Sequence, residues 1–340
     1  MSAHANILGT GTALPGPAID NVTLSQRFGA NAQWIDLFVG TKTRHFAVDI
    51  ETGARTSTLS ALAASAASAA MADADVDAGE IDFIVLGTAT PDHLMPTSVN
   101  LVADALGIDQ VPTYQLQSGC AGAIAALDVA MSRLSPESPT GLVIGADVCV
   151  KHLRLDRDAN SKMSPAELVN YVLFGDGAGA VVVSYDDAGA RMRLSHVINR
   201  FTGRGRAPGQ QIEWFGIADR DSDMMALNED YKAIEALVPD MAAEVVAELL
   251  RTTGWDRDSI DYLMPPQLSG RMTDKIVRQL NVASAKDISV VASTGNNGNA
   301  LPFLQLDELA GLIGPGERAV LAAIESSKWI KGGFVVEGLS

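Results

Sequence analysis

Two distant parts of this chain carry the same local plan. Ile81-Asp82-Phe83 has its counterpart in Ile260-Asp261-Tyr262, and each opens an apolar strand followed by a polar turn and a helix. Further on, Ser118-Gly119-Cys120-Ala121-Gly122-Ala123 parallels Thr294-Gly295-Asn296-Asn297-Gly298-Asn299. Both segments are read as following an apolar strand and opening a helix. Repetition on this scale implies a duplicated βα unit, although chance likeness between two α/β segments is the bland alternative. Two related corners can meet about a pseudo-twofold axis, which places Cys120 and Asn296 in one cleft. The strand-to-helix turn is also where α/β sheets hold ligands.

The alternation of elements predicts α/β layers. In the first half, strands are expected at 83–87, 113–117, 142–146 and 180–184, and helices at 97–106 and 120–134. In the second, helices are expected at 229–253, 270–280 and 299–312, and strands at 261–264, 289–292 and 319–324. Pro239 lies inside the first of these helices and is expected to kink or split it. The chain is 340 residues long and 47% apolar, more than one ordinary layered core needs. Two halves are therefore expected, 1–185 and 186–340. The aromatic share is only 5%, whereas Ala and Gly abound, so helices should approach closely.

A net charge of −16 repels a phosphate backbone, so nucleic acid is not an expected partner. Of the two cysteines, Cys120 and Cys149, neither has CxxC or Cys/His spacing, and no metal site is expected. Such sparse cysteine usage points to a reduced, cytoplasmic setting. Residues 1–20 lack a signal-peptide pattern, and no apolar run reaches the ~18 residues of a membrane span, so a complete chain outside the membrane is expected.

Cys120 is placed at the start of an apolar helix, among the small residues Gly119, Ala121 and Gly122. The free N–H groups and partial positive charge of a helix N-terminus favour thiolate over thiol. The small neighbours permit a sharp turn and the close approach of another group to the sulfur. A lone cysteine in an apolar helix is more often structural, and Cys149 fits that description. Cys120 departs from it by its place at the turn.

These residues together resemble the ketoacyl-ACP synthase III branch of the thiolase superfamily over nearly the whole chain. The resemblance rests on Gly9-Thr10-Gly11-Thr12-Ala13-Leu14-Pro15, Ala89-Thr90-Pro91-Asp92 with Met95-Pro96-Thr97, Gln117-Ser118-Gly119-Cys120-Ala121-Gly122, and Phe174-Gly175-Asp176-Gly177-Ala178-Gly179. It implies a five-layer α/β/α/β/α fold of two pseudo-repeated halves, a homodimer, and a tunnel leading a phosphopantetheine arm to Cys120. It also implies an oxyanion hole formed by the N–H of Cys120 and a second donor in the Glu325-Ser326-Ser327 turn, taken as Ser326. Met95 matches a position that reaches into the partner's acyl pocket, ordinary interface packing being the other reading. Arg271 matches a basic position near the tunnel mouth and is either a carrier-protein contact or a solvated arginine.

Two departures from the family alter the expected chemistry. Typical members carry Pro-His-Gln-Ala-Asn-x-Arg, whereas this chain reads Pro265-Pro266-Gln267-Leu268-Ser269-Gly270-Arg271. Proline stands at the histidine position and Ser269 at the asparagine; the triad asparagine is retained as Asn296. Histidine and asparagine together stabilise the enolate of decarboxylative condensation, an electrostatic effect often worth several kcal/mol. Weak or absent Claisen condensation is therefore expected. None of His4, His45, His93, His152 and His196 falls in the lost position. Gln267 adjoins it and is the first candidate to orient an acceptor, with Asn297 and Ser269 behind it. The second departure is Phe38, four residues after Trp34, where the family has an arginine that grips CoA adenine. This favours a carrier-bound donor over free CoA.

The function expected is Cys-dependent acyl transfer, which needs the thiol, an oxyanion hole and a way to deprotonate the acceptor. An acyl or aroyl group would pass from a carrier-protein phosphopantetheine (or CoA) thioester to an amine or hydroxyl of a small molecule, as in antibiotic-pathway members of the family. No tightly bound cofactor is expected. The alternatives are a decarboxylating ketoacyl-ACP synthase III and a non-catalytic partner subunit, which commonly lacks the cysteine. Pocket volume is expected to depend on the loop at 199–222.

Overall fold

The computed structural model describes residues 4–155, 165–213 and 227–339. Ten strands form one mixed sheet: β1 (His4–Ala13), β2 (Phe83–Gly87), β3 (Thr113–Leu116), β4 (Thr140–Asp147), β5 (Gly177–Ser184), β6 (Met192–Phe201), β7 (Tyr262–Met264), β8 (Lys286–Asp287), β9 (Arg318–Glu325) and β10 (Ile330–Gly338). Their order across the sheet is β8-β7-β9-β10-β6-β1-β5-β4-β2-β3. Split between β6 and β1, the two halves have the same order, each C-terminal strand standing five numbers above its N-terminal counterpart. The pairing agrees as well. β2 is parallel to β3 and β4, as β7 is to β8 and β9. The remaining pairs within each half are antiparallel. The halves join through β1 and β6, with His4 opposite Ser195 and Ile7 opposite Met192.

Six principal helices divide among three layers. α1 (Leu59–Ala74) and α2 (Ser98–Leu106) cover the outer face of the first half-sheet, and their buried side chains share a core with those of β2, β4 and β5. Ala63, Ala66, Ala67 and Ala70 of α1 have no exposed surface, the close helix approach that an alanine-rich, aromatic-poor chain predicts. α4 (Tyr231–Thr253) and α5 (Gly270–Leu280) cover the second half-sheet. Between the half-sheets lie α3 (Gly122–Arg133) and α6 (Leu301–Ala310), whose Ile124, Leu127, Phe303 and Leu306 pack in a core fed by both halves. The architecture is thus the expected α/β/α/β/α stack. Among the described residues no helix is long and apolar enough to cross a membrane.

Several local expectations change. The 289–292 segment is not a strand: Val291–Thr294 is a short helix, and the strand pairing beside β7 is Lys286–Asp287. Its cause is a distant side chain, for Gln267 Oε1 accepts the N–H groups of Val290 (2.8 Å) and Val291 (2.9 Å) and so satisfies the start of that turn. α4 runs unbroken through the buried Pro239, and it begins at Tyr231 because Asp230 accepts from Ala233 N–H at 3.0 Å. Glu229 belongs instead to a two-stranded ribbon, Gln210–Ile212 with Leu227–Glu229. Asn199 lies within β6 rather than a loop, and 214–222 of the expected pocket loop lies outside the described residues.

Candidate active site

α3 begins at Gly122, so Cys120 stands two residues before it, on a bend rather than in the helix's first turn. The bend is made by Ala121 N–H donating to Ser118 O and Gly122 N–H to Gly119 O, both at 3.1 Å, with Gly119 at a left-handed φ of 52°. The first free N–H of the helix is already engaged: Ala123 N–H donates to Asn299 Oδ1 at 2.9 Å. The helix field therefore does not act on the sulfur as the sequence suggests. Burial pushes the Cys120 thiol well above its ordinary range, and the negative charges of Glu325 and then Asp147 push it further. Both effects favour the thiol over the thiolate at rest.

Its closest polar neighbour is Glu325, the last residue of β9, whose exposure is 1%. Glu325 Oε2 accepts the backbone N–H of Cys120, and Oε1 accepts that of Ser327 at 2.5 Å. Burial raises the pKa of the Glu325 carboxyl itself, and its nearness raises that of the Cys120 thiol. The carboxylate fits here only because residue 119 lacks a side chain: a Cβ on Gly119 would sit 2.0 Å from Glu325 Oε2. The N–H expected to receive an oxyanion is thus held by a carboxylate, and an oxyanion takes it only in the carboxylate's place. Ser326, 8% exposed, lines the cavity beside Cys120, and its carbonyl accepts from Gly209 N–H at 3.1 Å.

Cys120 faces a cavity of about 390 Å³. Its walls bring together Asn296, Gln267, Ser269, Arg271 and Ser326 with Cys120, joining the two halves as the repeat predicts. The cavity reaches the surface past Trp34, exposed Phe38 and Arg271. Asn296 is set by the other half's glycine-rich turn. Its N–H donates to Leu173 O (2.9 Å), its carbonyl accepts from Gly175 N–H (3.1 Å), and its Oδ1 accepts from Gly298 N–H (3.1 Å). Gly175 is required there, since a Cβ would lie 2.2 Å from Thr294 O.

The other expected residues are placed differently. Gln267 lines the cavity, but its oxygen is committed to Val290 and Val291 and its Nε2 to Pro265 O at 3.5 Å. Ser269 caps α5 through Met272 N–H at 3.2 Å. Arg271 donates from Nε to Leu37 O at 2.8 Å, at the mouth. Asn297 is fully buried outside the cavity wall, with Nδ2 donating to Asp176 O (2.8 Å) and Thr294 O (3.2 Å). Met95 is 87% exposed and stands apart from the cavity. No histidine lines the cavity. Pro266 does, without donor or charge to offer.

The cavity wall also carries a polar group that sequence reasoning missed. Glu229, Gln210 and Tyr231 all line the cavity. Gln210 Nε2 donates to Glu229 Oε1 at 2.7 Å, and the Tyr231 hydroxyl meets Glu229 Oε2 and, at 2.8 Å, Asn170 Oδ1. Burial, with the charge of Glu325, raises Glu229 to about 8. No sequence motif marks this cluster. Glu325 had one signal, a charge ending an apolar strand. Among the described residues no group of three or more His, Cys, Asp or Glu side chains is arranged to hold a metal ion.

Comparisons with known proteins give the family of the chain. Residues 114–199 match the family model for 3-oxoacyl-[acyl-carrier-protein] synthase III, and 250–327 match that for its C-terminal part. The chain is 34% identical over 334 residues to the β-ketoacyl-[acyl-carrier-protein] synthase III of Rhodospirillum rubrum, covering 94% of each. Among solved structures, the tetronic acid condensing enzyme AbyA1 is 51% identical with a TM-score of 0.93, over 98% of this chain and 100% of that one. The 3-oxoacyl-(acyl carrier protein) synthase III of Pseudomonas aeruginosa PAO1 is 25% identical with a TM-score of 0.84, over 99% and 98%. This chain belongs to the 3-oxoacyl-[acyl-carrier-protein] synthase III family of acyltransferases, on the thiolase fold.

Proposed function

We propose that Cys120 accepts an acyl group from the phosphopantetheine thioester of a carrier protein, or from CoA, and passes it to a hydroxyl or amine acceptor in secondary metabolism. The observation that carries this reading is Cys120 in the wall of a cavity open to the surface, with Asn296 and Ser326 in the same wall and a proline where the family keeps histidine. Asn296 and Ser326 are assigned to hold the thioester carbonyl. Gln267 and Ser269 shape the wall against which the acceptor lies, and Arg271 at the mouth meets the pantetheine phosphate. Asn297, outside the wall, supports Asn296 rather than substrate. Leu94 and Met95, 66% and 87% exposed, offer an apolar surface to a second copy of the chain.

The likeness to a tetronic acid condensing enzyme supports a sharper form of the reading. A tetronic acid ring is a lactone bearing an enolised 1,3-dicarbonyl. Closing one needs an acyl–oxygen bond and an acyl–carbon bond. The carbon between two carbonyls is already acidic, so neither bond requires malonyl decarboxylation. Loss of the histidine is compatible with such a condensation, while decarboxylative chain priming remains disfavoured.

The test is mass spectrometry of the intact protein after incubation with hexanoyl- and benzoyl-N-acetylcysteamine. The expected result is one acyl adduct, absent in Cys120→Ala and discharged by a hydroxylated β-ketoacyl thioester. No adduct on the wild-type chain would favour a non-catalytic subunit. Robust release of carbon dioxide from malonyl-ACP would favour the priming synthase.

A further inference from the structure

We infer that Glu325 is the general base and acid of this site, taking the part an imidazole plays elsewhere by exchanging a proton directly with the Cys120 sulfur. The inference rests on the acyl-cysteine reading and extends it to a residue that reading leaves without chemistry.

Four observations converge. Glu325 is the titratable side chain bonded to the nucleophile's own residue: its Oε2 accepts the Cys120 N–H, and its charge bears on the thiol beside it. The second carboxylate oxygen is fixed by Ser327 N–H, so the group is oriented and not free to turn away. Among the described residues no cation compensates it: none of its hydrogen-bond partners there is a lysine, arginine or histidine. A structural carboxylate is normally buried with such a partner or in a full set of donors, as Asp147 is with Thr88, Thr90, Ala89 and Asn299. Finally, the neutral thiol next to it must lose a proton before it attacks, and no histidine reaches the cavity to take it.

The proton bookkeeping closes. As Sγ bonds to the thioester carbon, the thiol proton passes to Glu325. The now neutral carboxyl group releases the Cys120 N–H, which becomes free for the oxyanion. When the tetrahedral species collapses, the carbon–sulfur bond of the pantetheine thioester breaks and Glu325 returns its proton to the leaving thiolate. In the second half-reaction the proton of the acceptor hydroxyl moves to Glu325 as the new acyl–oxygen bond forms. The bond to Sγ then breaks, and the same proton restores the thiol. Nothing is oxidised or reduced.

General bases contribute on the order of 10²–10⁴-fold. Single-turnover loading from hexanoyl-N-acetylcysteamine, read by intact-protein mass spectrometry, is therefore expected to slow by at least ~100-fold in Glu325→Gln and in Glu325→Ala. A carboxylate that merely plugs the oxyanion position predicts the opposite sign for Glu325→Ala, and faster loading there would overturn the inference. So would Glu325→Gln loading at the wild-type rate. If Glu325→Gln does not fold by circular dichroism, Glu325→Asp decides. It keeps the charge but draws it back by one methylene, and loading within threefold of wild type would count against a direct proton exchange, whereas loading slowed ~10-fold or more would support it. Failure of the wild-type chain itself to take an acyl group strikes at the acyl-cysteine reading and not at the role of Glu325 within it.

Discussion

Asn299 Oδ1 accepts the N–H of Ala123, so a residue of the second half caps the helix that follows the nucleophile of the first. The same side chain donates from Nδ2 to Asp147 Oδ2 at 2.8 Å, and its backbone N–H donates to that oxygen at the same distance. Asp147 ends β4 and also gathers Thr88, Ala89 and Thr90 at the end of β2. One asparagine thus ties two strand ends, the nucleophile's helix and its own turn into a single frame.

Asn299→Ala leaves the Ala123 N–H unpaired and the buried Asp147 short of a donor. Each buried group left unsatisfied costs about 1–3 kcal/mol. Urea unfolding is expected to show a lower midpoint at unchanged slope. Asn299→Asp is expected to lose more, because it sets a second carboxylate against Asp147.

Cys120 is expected to react slowly with iodoacetamide at neutral pH, more slowly than glutathione. The thiolate is the reactive form, and burial with two nearby carboxylates holds the thiol well above its ordinary range. The rate rises as pH passes upward through that raised value. Peptide mapping of the alkylated chain checks this; rapid labelling of Cys120 at pH 7 would mean a preformed thiolate and no need of a base.

Much of the frame is legible in the sequence, and the reason is the period of its pattern. Apolar runs at 83–87 and 319–324 give strands, and the two small-residue corners around Cys120 and Asn296 meet as their repetition implies. What escapes is decided by partners far along the chain. The 289–292 segment reads as a strand from its own residues, yet Val291–Thr294 is a helix because Gln267, more than twenty positions earlier, caps it. The helix that the sequence starts at Cys120 starts at Gly122, so the electrostatics expected of its N-terminus fall on Asn299 instead. Glu325 stands in the quoted turn as a neighbour of Ser326, and only the packing of β9 against the Cys120 bend reveals that its carboxyl binds the nucleophile's backbone. Charge alone does not announce a base; its depth and its neighbour do.

Gly175→Ala tests how the first half positions Asn296. The added Cβ would lie 2.2 Å from the carbonyl oxygen of Thr294, a backbone atom that cannot swing aside. Overpacking of this kind costs about 1–3 kcal/mol. The Phe174–Asn296 bridge is expected to open, lowering the melting temperature by a few degrees, on the order given by size scaling. Acyl discharge should slow in the folded variant, since the carbonyl-holding amide has moved. An unchanged melting curve would show that the turn can yield without strain.

The remaining prediction concerns pH and follows from Glu229. Its carboxyl is raised to about 8 in the folded chain from an ordinary 4.5, by burial first and by the charge of Glu325 second. The folded state therefore binds this proton more tightly than the unfolded state. Between those two values the native chain carries more bound proton, and stability falls as pH rises. The contribution is whole below about 4.5 and is lost by about 8. Asp176, raised to about 7 by burial, acts in the same sense over a narrower window. Glu229→Gln keeps the acceptor for Gln210 and the contact with Tyr231 but cannot ionise. Its melting temperature is expected to fall less between pH 5 and pH 8 than that of the parent chain, with Asp176, Asp147 and Glu325, all raised by burial, left to supply the remaining slope. Parallel slopes for the two proteins would mean that Glu229 is ionised in the folded state already, and that its wall of the cavity is charged rather than neutral.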